Sequence, residues 1–161
     1  MKKLIRTCVF GFTLMELYLI GKKYKSSKSI FSKFIVRWCK HKINTQYSCY
    51  ISFDAEISND CRFVHPVGIV IGKGAVIKQN CQIYQGVTIG AARQDDESEK
   101  KYPIIEKGTI IFAGAKVIGG INIGKNSIVG ANSVVNRDVK EDHIVAGIPA
   151  KHIRQNNEIN R

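Results

Sequence analysis

What the chain lacks first is any pairing among its cysteines. The five, Cys8, Cys39, Cys49, Cys61 and Cys81, form no CxxC pair and no zinc-ligand spacing, and an odd count argues against a closed disulfide framework. A reducing, cytoplasmic setting fits such usage. Long apolar runs are missing too. Met1-Lys2-Lys3 opens a largely apolar stretch to Ile20, but Arg6 and Glu16 interrupt it. The longest unbroken run is about nine residues, where a spanning helix needs about twenty, and Lys22-Lys23-Tyr24-Lys25 offers no small-residue cleavage site. A retained helix is expected, neither a cleaved signal nor a membrane span.

Acids are the third shortage, and it is local. Met1 to Ser48 holds eleven Lys or Arg and a single acid, Glu16, while the other 113 residues hold fourteen against twelve. The net charge of +12 therefore belongs to a basic segment joined to a nearly neutral body. Read as a whole-chain property it would point to nucleic acid. Confined to one segment whose aromatics keep helical spacing, it does not, and no nucleic-acid partner is expected. At 161 residues there is room for one sizeable core.

Residues 1–48 read as two helices, around 4–21 and 29–42, split by the breaker-rich stretch Gly21 to Lys28. In the second, Ile30, Phe31, Phe34, Ile35 and Trp38 recur at helical spacing, with Lys33, Arg37, Lys40 and Lys42 largely on other faces. From residue 51 the period becomes six: Ile51, Ile57, Phe63, then after a two-residue slip Ile71, Ile77, Ile83 and Ile89. After a polar interruption it resumes with Ile105, Ile111, Val117, Ile123, Val129 and Val135. A small or β-branched residue follows most of these by four, among them Ala55, Cys61, Val67, Ala75, Cys81, Val87, Thr109, Ala115 and Ser127. One large and one small inward position per six residues is what a tightly turning solenoid of short β segments buries, with Gly and Asn at the bends. Cys61 and Cys81 fall in small core slots, which makes them packing residues, not nucleophiles. The expected organisation is a helical segment over 1–48, a β-helix over 49–136 with a loop at 91–103, and a tail over 137–161.

The repeat [LIV]-G-x-x-[STAV]-x, running from about Ile51 to Arg154, resembles that of the hexapeptide-repeat acyltransferases. The resemblance implies a mainly β chain, a left-handed parallel β-helix of about four coils, assembled as a homotrimer with sites between neighbouring solenoids. His65-Pro66-Val67-Gly68-Ile69-Val70-Ile71-Gly72, with Ile83-Tyr84-Gln85-Gly86-Val87-Thr88-Ile89-Gly90, is similar to serine acetyltransferases and to sugar O-acetyltransferases of surface-polysaccharide pathways. It implies that His65 is the general base toward the acceptor hydroxyl in transfer from acetyl-CoA. Independently of it, His65 falls two residues after the inward Phe63, hence outward, and is the only histidine among the repeats. An imidazole suits proton abstraction near neutral pH.

The sequence also departs from the serine enzymes. Their aspartate fifteen residues before the histidine is Tyr50 here, and the residue just before it, usually aspartate, is Val64. Asp54, Glu56 and Asp60 remain open as orienting carboxylates. The loop Ala91 to Pro103 carries seven charges and ends Lys101-Tyr102-Pro103 where those enzymes end Arg-His-Pro. Lys101 cannot make the planar bidentate contact of a guanidinium with a carboxylate. A sugar hydroxyl is therefore the first expected acceptor and L-serine the second, with Gln85, Lys101 and Tyr102 as candidate acceptor contacts. For acetyl-CoA the resemblance implies a slot of small residues. Ala113 and Ala131, eighteen residues apart, share one edge of a three-hexapeptide coil, and Gly90-Ala91 holds the equivalent position after Ile89. The closing Ala146-Gly147-Ile148-Pro149-Ala150-Lys151 offers Lys151 to the CoA phosphates. No metal is expected, because His41, His143 and His152 lie outside the repeats. A basic arm on a non-catalytic solenoid is the third reading. The helix at 29–42 is expected either to cap the solenoid or, within a peripheral contact through 1–42, to rest on the anionic inner membrane face.

Overall fold

The computed structural model describes residues 11–93 and 101–156. From Tyr50 the chain turns through short strands that form three parallel faces. The first joins β1 (Tyr50–Ile51), β4 (Val70–Ile71), β7 (Thr88–Gly90), β10 (Lys116–Ile118) and β13 (Val134–Val135). The second joins β2 (Glu56–Ile57), β5 (Val76–Ile77), β8 (Ile104–Ile105) and β11 (Asn122–Ile123). The third joins β3 (Arg62–Val64), β6 (Gln82–Tyr84), β9 (Ile110–Ile111), β12 (Ile128–Val129) and β14 (His143–Gly147), with β15 (Ala150–Gln155) added antiparallel. This is the expected left-handed parallel β-helix of about four coils.

Register follows from what each position buries. Ile71, Ile89 and Val117 stack in one inward column and Ile77, Ile105 and Ile123 in another, all buried. Burying each such side chain contributes about 1.5–3 kcal/mol. The small slots stack likewise, and their polar members tie one coil to the next: Thr109 Oγ1 donates to Gly124 O at 3.2 Å, and Ser127 Oγ to Lys140 O at 2.8 Å. At two corners a glycine is required. Gly108 and Gly114 have φ of +75° and +72°, and a Cβ on them would meet Oδ1 of Asn126 and Asn132 in the next coil at 2.4 and 2.1 Å.

The pairing locates both irregularities of the period. Tyr50 pairs with Val70 and Phe63 with Ile83, twenty residues on, whereas Val70 pairs with Thr88, eighteen on. Since Gly86 N–H bonds to Val67 O while Val64 pairs with Tyr84, the two extra residues are His65 and Pro66. The slip consequently turns Val67 outward, 58% exposed, and seats Ile69 in the inward column beside Val87. This corrects the expectation of Val67 as a core slot. The second irregularity leaves the solenoid after Gly90 and returns at Pro103, whose carbonyl accepts from Val76 N–H.

The helices differ from their expected bounds. The first, α1, spans Leu14–Tyr24 behind a Thr13/Glu16 capping box; residues 4–10 of the expected helix lie outside the described ones. Gly21 does not break α1. It is buried within the helix because the Phe53 ring rests on it, and a Cβ would come within 2.2 Å of that ring. The second, α2, runs Ile30–Tyr47, past residue 42, because Cys39, Ile43 and Tyr47 continue one packed face.

Together the helices close the first coil. Leu14, Leu17, Tyr18, Cys39 and Ile43 join Ile51, Phe53 and Ala55 in one core. Tyr18 Oη donates to Ala55 O at 2.7 Å and accepts from Ile57 N–H at 3.2 Å, and Lys22 Nζ donates to Ala55 O at 2.8 Å. These contacts cover backbone groups that a terminal coil otherwise leaves unpaired. At the other end, Gly147 N–H bonds to Ser133 Oγ at 3.1 Å beneath the β14–β15 hairpin. No helix among the described residues is long and apolar enough to cross a membrane.

Candidate active site

His65 occupies the corner where the third face passes into the first. The two-residue insertion gives it room, and its backbone is left-handed at φ +49°, a conformation uncommon outside glycine that His, Asn and Asp adopt more often than other residues. Val67 N–H bonds back to His65 O at 2.7 Å, closing a three-residue turn around Pro66. The imidazole stands exposed on this pulled-out corner.

The same corner gathers several of the other expected residues. Extending the β6–β9 and β12–β14 registers by two residues stacks Gln85, Ala113, Ala131 and Gly147 in one outward column, and Gly114 N–H to Gln85 O and Asn132 N–H to Ala113 O, both 2.9 Å, bind it together. Lys151 lies one strand away, opposite Ala146 and exposed. Gly86 N–H to Val67 O continues the column into the first coil, so it runs from Val67, next to the pulled-out His65 turn, over Gln85 and the small Ala113, Ala131 and Gly147, and ends one strand from Lys151.

Three features of this corner escape the sequence reading. Tyr84 and Phe112 pack with ring centres 5.0 Å apart and planes tilted by 43° on the adjoining third face. Lys116 Nζ donates to Gly86 O at 2.7 Å. Tyr50, Val67 and Val70 are large, exposed apolar side chains around the first coil. The aromatic pair was detectable in principle, since each ring directly follows an inward isoleucine, Ile83 or Ile111, and those two pair.

The remaining expected residues lie on a different corner, between the first and second faces. Gly90 pairs with Ile118, and Gly119 N–H bonds to Gly90 O, so Ala91 does not continue the Ala113–Ala131 column. The ten-residue loop insertion had made its spacing look equivalent. Lys101 leads back to this corner, its Cα 3.2 Å from where a Cβ on Gly120 would stand. Tyr102 is buried with its ring over Gly72 and Gly74, where a Cβ would approach it to 2.8 and 2.2 Å. It acts as a packing residue that pins the returning loop, not as an exposed acceptor contact.

The carboxylates left open for orienting His65 are elsewhere too. Asp54 pairs with Lys25, which holds its carboxyl below the usual range. Asp60 accepts from Ser58 Oγ at 2.7 Å, and Glu56 lies on the second face. Burial pushes the Cys81 thiol up to about 11 and Cys61 higher still, as befits core thiols. Among the described residues no three His, Cys, Asp or Glu side chains cluster as metal ligands.

No family model matches the chain. It is similar to the serine acetyltransferase of Haemophilus influenzae, 37% identical over 123 residues, which are 76% of this chain and 45% of that protein. It is also similar to that of Synechococcus elongatus, 46% identical over 89 residues, 55% and 36% of the two chains. Among solved structures, a serine acetyltransferase in complex with cysteine superposes with a TM-score of 0.80 at 34% identity, covering 90% of this chain and 55% of that one. One in complex with CoA gives 0.75 at 31%, covering 87% and 55%. The chain spans about half the length of the curated relatives it matches. Sequence and fold agree that this is a hexapeptide-repeat β-helix chain, similar to serine acetyltransferases over as much as 90% of its length.

Proposed function

We propose that the protein is an acetyl-CoA-dependent O-acetyltransferase with His65 as general base. The observation that carries this is the corner where the exposed His65 turn leads into the outward column of Gln85, Ala113 and Ala131, in a chain similar to enzymes solved with CoA. Acetyl-CoA lies along Gln85, Ala113 and Ala131 with its phosphates toward Lys151. His65 accepts the proton of the acceptor hydroxyl as that oxygen attacks the thioester carbonyl. A backbone N–H supports the oxyanion. The tetrahedral adduct then collapses, the C–S bond breaks, and the imidazolium returns its proton to the departing CoA sulfur. Both substrates are held together, so no covalent acyl-enzyme forms and proximity supplies much of the rate.

The acceptor best supported is L-serine, because the similar proteins are serine acetyltransferases. This reverses the order expected from sequence. A sugar hydroxyl stays as the second reading on one specific observation: Tyr50 and Val64 stand where the serine enzymes are expected to carry aspartates. The homotrimer belongs to the same proposal. His65 and the loop ending at Lys101 lie on different corners of one solenoid, so a site using both must form between two copies. Assaying CoA release with L-serine and with nucleotide-linked and lipid-linked sugars tests the reading. Turnover with one acceptor class selects it, and none with any acceptor would contradict the proposal.

A further inference from the structure

Among the described residues, the packing of α2 against the first coil leaves its opening turns exposed. Ile30, Phe31 and Phe34 are 87%, 72% and 68% exposed, on the opening turns of α2. Isolated exposed apolar side chains are ordinary, but three large ones on successive helical neighbours form a patch. Beside it, between the end of α1 and α2, lies a cavity of about 320 Å³ whose floor includes Tyr24 and Val36 and whose charged lining is Lys25, Lys33, Arg37 and Lys40. Lys25 is paired with Asp54 and Lys40 lies over the Phe53 ring with its charge acting on Asp54; Lys33 and Arg37 form no ion pair among the described residues. Between Leu17 and Phe53 the chain holds eight Lys or Arg and no acid at all.

We propose that the α1–α2 hairpin docks on an anionic phospholipid bilayer. Ile30, Phe31 and Phe34 enter the headgroup boundary, and the basic cavity receives a lipid phosphate. Each half of the surface suits a bilayer where it suits other partners poorly. Protruding apolar side chains need a yielding apolar phase beneath a charged layer, the layout of an interfacial helix. Lysine and arginine within a Debye length of such a surface are drawn to it. A second copy is disfavoured because a twofold contact sets this single-sign patch against itself. The inference is independent of the enzymatic reading, and neither His65 nor the Ala113–Ala131 column takes part in it.

Co-sedimentation of the full chain with vesicles at low ionic strength tests the proposal. Vesicles of phosphatidylcholine mixed with phosphatidylglycerol should carry the protein down, pure phosphatidylcholine vesicles should not, and added salt should release it. Phe31→Ser/Phe34→Ser should weaken binding by about tenfold or more. Lys33→Glu/Arg37→Glu should weaken it on the order of thirtyfold or more. All four side chains are exposed, and circular dichroism should show both variants folded. Failure of the wild-type chain to sediment with the mixed vesicles overturns the proposal, as does undiminished binding by both variants. A change in oligomeric mass on Phe31→Ser/Phe34→Ser, with no vesicle binding by the wild type, would assign the patch to a second copy instead.

Discussion

Cys81 shows how far a single position can be read. The period of six assigns it to a small inward slot, and the fold puts it there, fully buried, with its Sγ donating to Glu106 O at 3.1 Å. Its ionisation is therefore linked to folding. The thiol titrates near 9.0 when unburied and about 11 in the folded chain. The folded state thus holds a proton that the unfolded chain gives up between those values, and stability falls as pH rises from about 9 toward 11. The loss assigned to Cys81 should approach about 1–3 kcal/mol at the top of that window. Urea denaturation at pH 7.5 and 10.5 checks it: Cys81→Ala, which puts into this slot the residue found in others such as Ala75, should lose less stability between the two pH values than wild type. Equal losses would contradict the linkage. His65 shows the opposite limit. Its outward direction follows from counting, but its left-handed backbone does not, because a two-residue slip in a period does not say which two residues are extra.

At the scale of elements, legibility followed periodicity. Strands and their columns come directly from the six-residue repeat, since each inward position has one neighbour above and one below. What the period could not reveal is which corner an insertion displaces. Spacing alone puts Ala91 in line with Ala113 although ten loop residues intervene, and it does not show that two corner glycines leave a recess that the Tyr102 ring fills. Helix bounds failed for a related reason. Gly21 looks like a breaker until Phe53 is known to rest on it, and that contact joins residues far apart in sequence. The helical cap makes its own prediction. Tyr18→Phe keeps the ring but leaves the buried Ile57 N–H and the Ala55 carbonyl without the hydroxyl. It should cost about 1–3 kcal/mol in denaturant unfolding, and an unchanged midpoint would show that the hydroxyl does not hold the cap.

At the scale of the whole molecule, the charge asymmetry and the split site have one explanation each. The basic excess lies in the helical segment that closes the first coil and leaves a lysine-rich, apolar-tipped surface outward. In the proposed reading, the nearly neutral solenoid brings His65 and the loop ending at Lys101 to separate corners. If those corners meet between copies, sedimentation equilibrium should return three times the 18.0 kDa of the chain, and a stable monomer retaining full activity would contradict that assembly. The central claim is that His65 takes the acceptor's proton. Substituting His65→Asn tests it most directly, because asparagine tolerates the left-handed backbone at this corner and so removes the base without unseating the turn. Acetyl-CoA turnover, followed by thiol release with the acceptor that the wild type uses, should fall by about 10²–10⁴-fold in a variant of unchanged circular dichroism and mass. Turnover within a few fold of wild type in that folded variant would contradict the account.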